Sequence, residues 1–221
     1  MKKILFLFVV LTLCLAGTVD AHQPRLVFGG NVVDIKNPEI SQAFYSELKG
    51  EPAYYQIKSD DYFDFYANLL VPNIKEIKTD VSAEVTDENG AIIFFLDGPE
   101  QKEWKSFYEP FAGDSYLKGP EAKVPEGEKM LPGNYQIKVF SSNNNSKYVL
   151  VVGEKESFPI TEIINMVKVL PILKSDFFGK PPLFAFFNLT GLVLLVPFVV
   201  LFGLAMVAIL KIKKQKRKKV V

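Results

Sequence analysis

Apolar and polar positions divide this chain into two predominantly apolar runs, residues 4–16 and 183–210, and a long middle in which the two kinds of residue alternate. From residue 53 onward the alternation has period two, the signature of strands with one buried face. Tyr55 and Ile57 interleave with Gln56 and Lys58. The run from Tyr62 to Tyr66 then continues into Leu69, Leu70 and Val71 before Pro72. Residues 81–86 and 91–96 read as strands flanking Asp87-Glu88-Asn89-Gly90, where the Asn-Gly pair predicts a type I′ hairpin turn. A second hairpin is predicted from residues 133–140, a turn over 141–146 and a return over 147–152. Tyr135, Ile137 and Val139 would share one face of it, and Tyr148, Leu150 and Val152 another; both sets read as core. Short apolar stretches at 25–28 and 32–35, separated by Gly29-Gly30, predict an opening strand with a kink or turn.

Two segments carry helical spacing. Asn37 as cap and Pro38 at the first turn open a short helix whose face is Ile40, Ala43, Phe44 and Leu48, with Gly50 as its stop. Ile163, Ile164, Val167 and Leu170 predict a second helix, ending near Pro171, that reads as a juxtamembrane stalk. Residues 99–132 read as a long connection rich in aromatics and turn residues, a length that marks a functional loop or a crossover between sheets. The expected fold is mainly β: an antiparallel β-sandwich with one or two short helices, plus a single C-terminal transmembrane helix.

The ends set the expected address. Lys2-Lys3, the apolar run 4–16 and the small residues up to Ala21 form the pattern of a secretory signal peptide. Residues 183–210, interrupted by Asn188 and Thr190, are long enough for a span of the ~30 Å hydrocarbon layer. Seven cations in residues 211–219 then predict a cytoplasmic tail. The expected layout is signal 1–21, extracytoplasmic sandwich 22–158, helical stalk 159–182, transmembrane helix 183–210 and basic tail 211–221. That describes a cell-membrane protein of single-pass topology, with the lipid bilayer as a partner. Residues 22–182 hold 17 Lys and Arg against 24 Asp and Glu, and this acidic balance excludes nucleic acid as a partner. The one cysteine, Cys14, lies in the signal, so a mature chain has no disulfide, thiolate metal site or cysteine nucleophile. Asn144-Asn145-Ser146 matches a glycosylation sequon and the last four residues a dilysine retrieval pattern, both short enough to arise by chance.

Candidate chemistry is sparse. With His22 as the single histidine, a Ser-His-Asp triad would need the extreme mature N-terminus. A phosphate-binding glycine loop and a His-x-x-x-His pair are both missing, and no spacing selects a carboxylate pair. A cut after Ala21 would make His22 the first residue, and its α-amine and imidazole would then form a chelate for Cu(II), completed by a carboxylate such as Asp34 or Asp114. The second candidate is the segment containing Trp104, Phe107, Tyr108, Glu109, Phe111, Asp114, Tyr116 and Glu121. Its aromatics suit a glycan or peptide surface and its acids Ca²⁺; equally, its rings pack on a sandwich edge while the acids cap turns.

Residues 131–139 (Leu-Pro-Gly-Asn-Tyr-Gln-Ile-Lys-Val) with 148–153 (Tyr-Val-Leu-Val-Val-Gly) resemble the final hairpin of exported bacterial sandwich modules of the pre-peptidase C-terminal type. Ig-like modules share this Gly-x-Tyr and Tyr-x-Leu pattern. The arrangement at His22 resembles copper-binding exported sandwiches of the CopC type, without the second histidine of a full brace. The whole layout is similar to prokaryotic single-pass surface proteins. These resemblances imply a fold. The expected function is a membrane-anchored, non-enzymatic binding module for an envelope protein or glycan, without a cofactor, the alternative being copper handling through His22.

Overall fold

The computed structural model describes residues 22–29 and 32–218; the expected signal peptide with Cys14, and the end of the basic tail, lie outside them. Among the described residues eleven strands form: β1 (Gln23–Leu26), β2 (Val33–Ile35), β3 (Gln42–Glu47), β4 (Ala53–Ser59), β5 (Tyr66–Pro72), β6 (Ser82–Thr86), β7 (Ile92–Leu96), β8 (Lys105–Glu109), β9 (Asp114–Lys123), β10 (Gly133–Phe140) and β11 (Lys147–Val152). They build a six-stranded sheet in the order β1-β3-β11-β5-β9-β8 and a five-stranded sheet in the order β2-β4-β10-β6-β7.

The two sheets are patterned differently because they are covered differently. In the five-stranded sheet the alternation is clean: Tyr135, Ile137 and Val139 of β10 point into the sandwich, while Gln136 and Lys138 face outward. In the six-stranded sheet, β5 and β11 are buried almost continuously. Leu69, Val71, Tyr148, Leu150 and Val152 enter the sandwich core; Leu70, Val149 and Val151 enter a second core on the sheet's outer side. A strand buried on both faces reads as a solid apolar run. Between the sheets, the Tyr55 and Tyr148 hydroxyls meet at 2.8 Å, so each buried phenol satisfies the other.

Four sequence expectations are corrected here. The helix expected over 37–50 is strand β3, inserted between β1 and β11. Asn37 has φ 53°, outside the extended region an N-cap needs, and Ala43 and Phe44 are buried on opposite faces, in different cores. The expected second hairpin does not exist as a pair: β10 bonds to β4 and β6, β11 to β3 and β5, so residues 141–146 cross from one sheet to the other. The connection 99–132 is itself a hairpin, β8 and β9 paired from Lys105↔Lys118 to Glu109↔Asp114. Finally the sheets are mixed rather than antiparallel. β1 runs parallel to β3, and β2 to β4, because the chain visits the opposite sheet between them and returns in its original direction.

The β6–β7 hairpin forms as expected, with a different turn. Asn89 is absent from the positive-φ residues and only Gly90 of the pair is left-handed, at φ 79°. The Asp87 carboxylate accepts from the amides of Asn89 (2.9 Å) and Ala91 (2.8 Å), and the register slips between Val85 and Thr86. A glycine in the left-handed region beside a bulge matches the right-handed twist of the strands.

After β11, helix α1 (Ile160–Ile172) lies against the six-stranded sheet instead of leading away as a stalk. Pro171 removes an amide donor near its end, and the chain continues as a π-helical turn, Leu173–Phe177. Leu170, Leu173, Phe177 and Phe178 cover Ala43, Leu70, Tyr116, Val149 and Val151. Arg25 of β1 grips Glu162 with two bonds, at 2.7 and 3.0 Å. Lys147 of β11 donates to the carbonyls of Asp176 (2.7 Å) and Phe177 (3.0 Å).

The transmembrane helix expected over 183–210, and with it the single-pass membrane layout, is not supported: among the described residues no helix is long and apolar enough to cross a membrane. The apolar run is divided instead. Pro182–Phe186 form a 3-10 helix, the backbone leaves helical geometry at Phe187, and helix α2 runs over Leu189–Lys218 into the lysine-rich segment. The break has a local cause, since the front of the run docks on the sandwich. Ala185 is fully buried, and the Asn188 side-chain amide donates to the carbonyls of Ala112 and Ala185, both at 2.8 Å. The Asn188 Oδ1 accepts from the Gly191 amide and so caps α2.

Because Leu170 sits between helix and sheet, Leu170→Ala is expected to lower unfolding stability by about 2–4 kcal/mol. Hydrogen exchange should rise over residues 160–178 well before β10; equal acceleration everywhere would contradict a separately docked layer.

Candidate functional site

The β8–β9 hairpin carries the aromatic and acidic residues singled out in the sequence, and the structure commits most of them internally. Trp104 lies flat over Gly119, where any side chain would strike its ring, and its indole donates to the Gly98 carbonyl at 3.2 Å. Phe107 packs beside Tyr116, and the Tyr116 hydroxyl meets that of Tyr45 at 3.0 Å. Glu109 accepts from the amides of Phe111 (2.8 Å) and Ala112 (2.5 Å), tying the turn that joins the two strands. Glu121 pairs with Lys118 (2.8 Å) and accepts from the Tyr66 hydroxyl (3.0 Å). Tyr108, 60 % exposed, is the one ring of the set that projects freely, while Phe111 is half-buried.

Beneath the helical layer this hairpin brings together charges that the sequence keeps far apart. Asp114 of β9 lies 2.6 Å from the Nζ of Lys174 on the π-helical turn, and each side chain is only 2 % exposed. Lys180 reaches the other carboxylate oxygen at 3.0 Å, and Lys174 also donates to the Ala112 carbonyl at 2.6 Å. Phe178 stands beside both ammonium groups. Burial pulls the Lys174 amine below the ordinary lysine range, opposed by its bond to Asp114. Burial likewise pushes the Glu109 carboxyl up, against the two amide bonds it accepts. Lys174 and Lys180 were missed from sequence; the available signal was a lysine set in the apolar run Val169-Leu-Pro-Ile-Leu173 and Phe177-Phe178.

His22 is placed at the start of β1, with its Nδ1 against the Ser41 hydroxyl. It lines a small cleft with Tyr45, Glu109, Phe111 and Met166. Asp34 lies on the opposite sheet and Asp114 is taken by its two lysines, so neither carboxylate proposed to complete a copper site is brought to it. Among the described residues no group of three or more His, Cys, Asp and Glu side chains is arranged to hold a metal ion.

The five-stranded sheet presents another concave feature, a groove of about 690 Å³ across its outer face. Its lining is mixed: Asp34 of β2, Gln56 and Lys58 of β4, Thr86 of β6, and Asn134 and Gln136 of β10 supply polar groups, and Ile35, Ile57 and Tyr135 apolar surface. Register places Gln136 directly between Gln56 and Thr86, so amides and a hydroxyl stand in one row on a rigid surface. The next row reads Tyr54, Lys138, Glu84 and Phe95, with Lys138 bonded to Glu84 at 3.3 Å. These alternating polar positions looked like ordinary solvated strand faces in the sequence; only pairing makes them neighbours.

Breaking a buried ion pair by removing one partner leaves an uncompensated charge, whereas a surface pair contributes little. Asp114→Leu, which leaves the buried Lys174 nitrogen without its carboxylate, is therefore expected to cost about 3 kcal/mol or more in denaturant unfolding. Lys118→Met, which removes the exposed pair with Glu121, should cost less than about 1 kcal/mol. Similar losses for the two variants would contradict the buried cluster.

No family model and no curated protein matches the chain. Among solved structures it is similar to the pre-peptidase C-terminal domain of a collagenase from Bacillus anthracis, at 9 % identity and a TM-score of 0.32, over 60 % of this chain and 95 % of that domain. It is also similar to a β-glucosidase from Kluyveromyces marxianus, at 18 % identity and a TM-score of 0.29; 53 % of this chain is covered but only 12 % of the enzyme. A surface-associated copper-binding protein important in copper acquisition by Methylomicrobium album BG8 matches at 14 % identity and a TM-score of 0.19, over 59 % of this chain and 82 % of that one. These scores and identities transfer no chemistry. What the chain shares with the collagenase domain is a loose β-sandwich likeness.

Proposed function

We propose that this chain is a non-enzymatic binding module working outside the cytoplasm, and that its ligand lies along the groove of the five-stranded sheet. The observation that supports the reading is the contrast between the sandwich's two outer faces. The six-stranded sheet's face is filled by α1 and the turn after it, while the five-stranded sheet's face stays open with a row of amides, a hydroxyl and charges of both signs. Such a lining offers donors and acceptors in fixed positions beside apolar surface, which suits a hydroxyl-rich chain with polar edges and apolar ring faces. The ligand class proposed is an envelope glycan. The export part of the reading rests on the N-terminal signal pattern and on a middle segment without cysteine.

Each hydrogen bond to a neutral ligand is worth about 1 kcal/mol. A Gln56→Ala/Gln136→Ala double variant should therefore weaken glycan binding roughly tenfold or more in calorimetric titration against soluble envelope oligosaccharides. Tyr108→Ala, on the opposite sheet, should leave it unchanged. Loss of binding through Tyr108 with the glutamines silent would return the site to the β8–β9 hairpin. Failure of every glycan alongside saturable binding of an envelope protein would overturn the ligand class.

A further inference from the structure

We propose that Lys174 and Asp114 become joined by an isopeptide bond between the lysine Nζ and the aspartate Cγ, fixing the helical layer covalently to the six-stranded sheet. The reacting groups are already in contact at 2.6 Å, each on a packed element and each almost wholly removed from water. Holding two partners at contact distance replaces a bimolecular encounter with an intramolecular step and so removes part of the barrier to condensation. The amine is aimed by the Ala112 carbonyl, which accepts from it at 2.6 Å. Glu109 is a positioning residue: it holds the Ala112 and Phe111 amides and stands opposite Asp114 in the strand register. Lys180 donates to the second carboxylate oxygen, Oδ1, at 3.0 Å. That is the oxygen which stays as the amide carbonyl, and a cation there stabilises the negative charge it gathers during attack.

The surroundings favour the neutral amine. Phe178 stands beside the Lys174 nitrogen in a layer where the rings of Tyr45, Tyr116, Phe177 and Phe178 pack on one another, and a poorly polarisable site disfavours ammonium relative to amine. The lowered affinity of the Lys174 amine for its proton follows from the same burial. One proton passes from Nζ to Oδ2, the freed nitrogen lone pair attacks Cγ, and the C–N bond forms. A second proton then moves from nitrogen to Oδ2, the Cγ–Oδ2 bond breaks, and that oxygen leaves as water. Amine plus acid gives amide plus water, with no oxidant and no co-reactant. A site that excludes water also opposes the reverse hydrolysis. The bond would close a loop between positions 60 residues apart in a chain whose one cysteine, Cys14, cannot make an internal disulfide.

The test is a tryptic map of the full chain, purified in mild detergent to shield its apolar C-terminal segment and denatured only after folding. The expected result is a branched peptide in which residues 106–118 are joined to the peptide starting at Val169, lighter than the two together by one water and uncut after Lys174. Lys174→Arg, which keeps the cation, and Asp114→Ala should each release the two peptides at their unmodified masses. Complete cleavage after Lys174 in the folded wild-type chain, with residues 106–118 unmodified, would overturn the bond and leave an ordinary ion pair. A branched peptide that persists in Lys174→Arg would overturn the assignment to Lys174.

Discussion

The outer face of the six-stranded sheet has to be covered, and the rest of the molecule is arranged around that requirement. Leu70, Val149 and Val151 face away from the sandwich core, and left in water they would form an apolar stripe across the two central strands. Helix α1 and its π-helical extension supply Leu170, Leu173, Phe177 and Phe178 to that stripe. Burying even one such side chain is worth about 1.5–3 kcal/mol, so the cluster far outweighs the small net value of the ion pairs at its rim. The charges inside the layer follow a different logic. Removing Lys174 and Asp114 from water costs several kcal/mol for each ion. The attraction between them, aided by the Ala112 carbonyl and Lys180, offsets this only in one geometry. Apolar burial holds the layer on, and the polar cluster fixes where it sits.

That division leaves the two outer faces with separate roles. One is closed by the chain itself and locked by the Asp114 cluster, the proposed site of a covalent tie. The other is a regular sheet surface with nothing of the described chain on it, where strand pairing lines up Gln56, Gln136 and Thr86. A rigid sheet is a good support for a binding row because its residues cannot drift independently. The loose likeness to a pre-peptidase C-terminal domain concerns the sandwich and leaves both faces unassigned, since function belongs to a site rather than to a fold.

Legibility in the sequence followed burial. Strands β4, β6 and β10 each have one wet face, and their period-two pattern is readable, as are the inward positions of Tyr135, Ile137 and Val139. Strand β3 is buried on both faces, so Ile40, Ala43, Phe44 and Leu48 offered a spurious helical spacing. The turn after β10 was read as a hairpin because a chain reversal looks the same whether the returning strand joins the same sheet or the opposite one. The sequence marks the acids and rings of the β8–β9 hairpin as a candidate binding surface, and the structure uses most of them in internal contacts. Their partners, Lys174, Lys180 and Tyr45, come from segments 60 or more residues away, so nothing in the hairpin's own sequence points to them.

The sequence by itself determined a mainly β chain, the positions of most strands, an acidic middle free of cysteine, and a helical segment after the last strand. These are local or compositional properties, set by side-chain periodicity, turn chemistry and charge. The tertiary structure alone decided which strands pair, that the sheets are mixed, and that α1 lies on the sandwich instead of extending from it. It also decided that the apolar run after residue 182 breaks at Phe187 and Asn188, and that one lysine and one aspartate meet in a dry interior. Each of these depends on which distant surface a segment finds to cover, and periodicity reports that a face is apolar without saying what will lie against it.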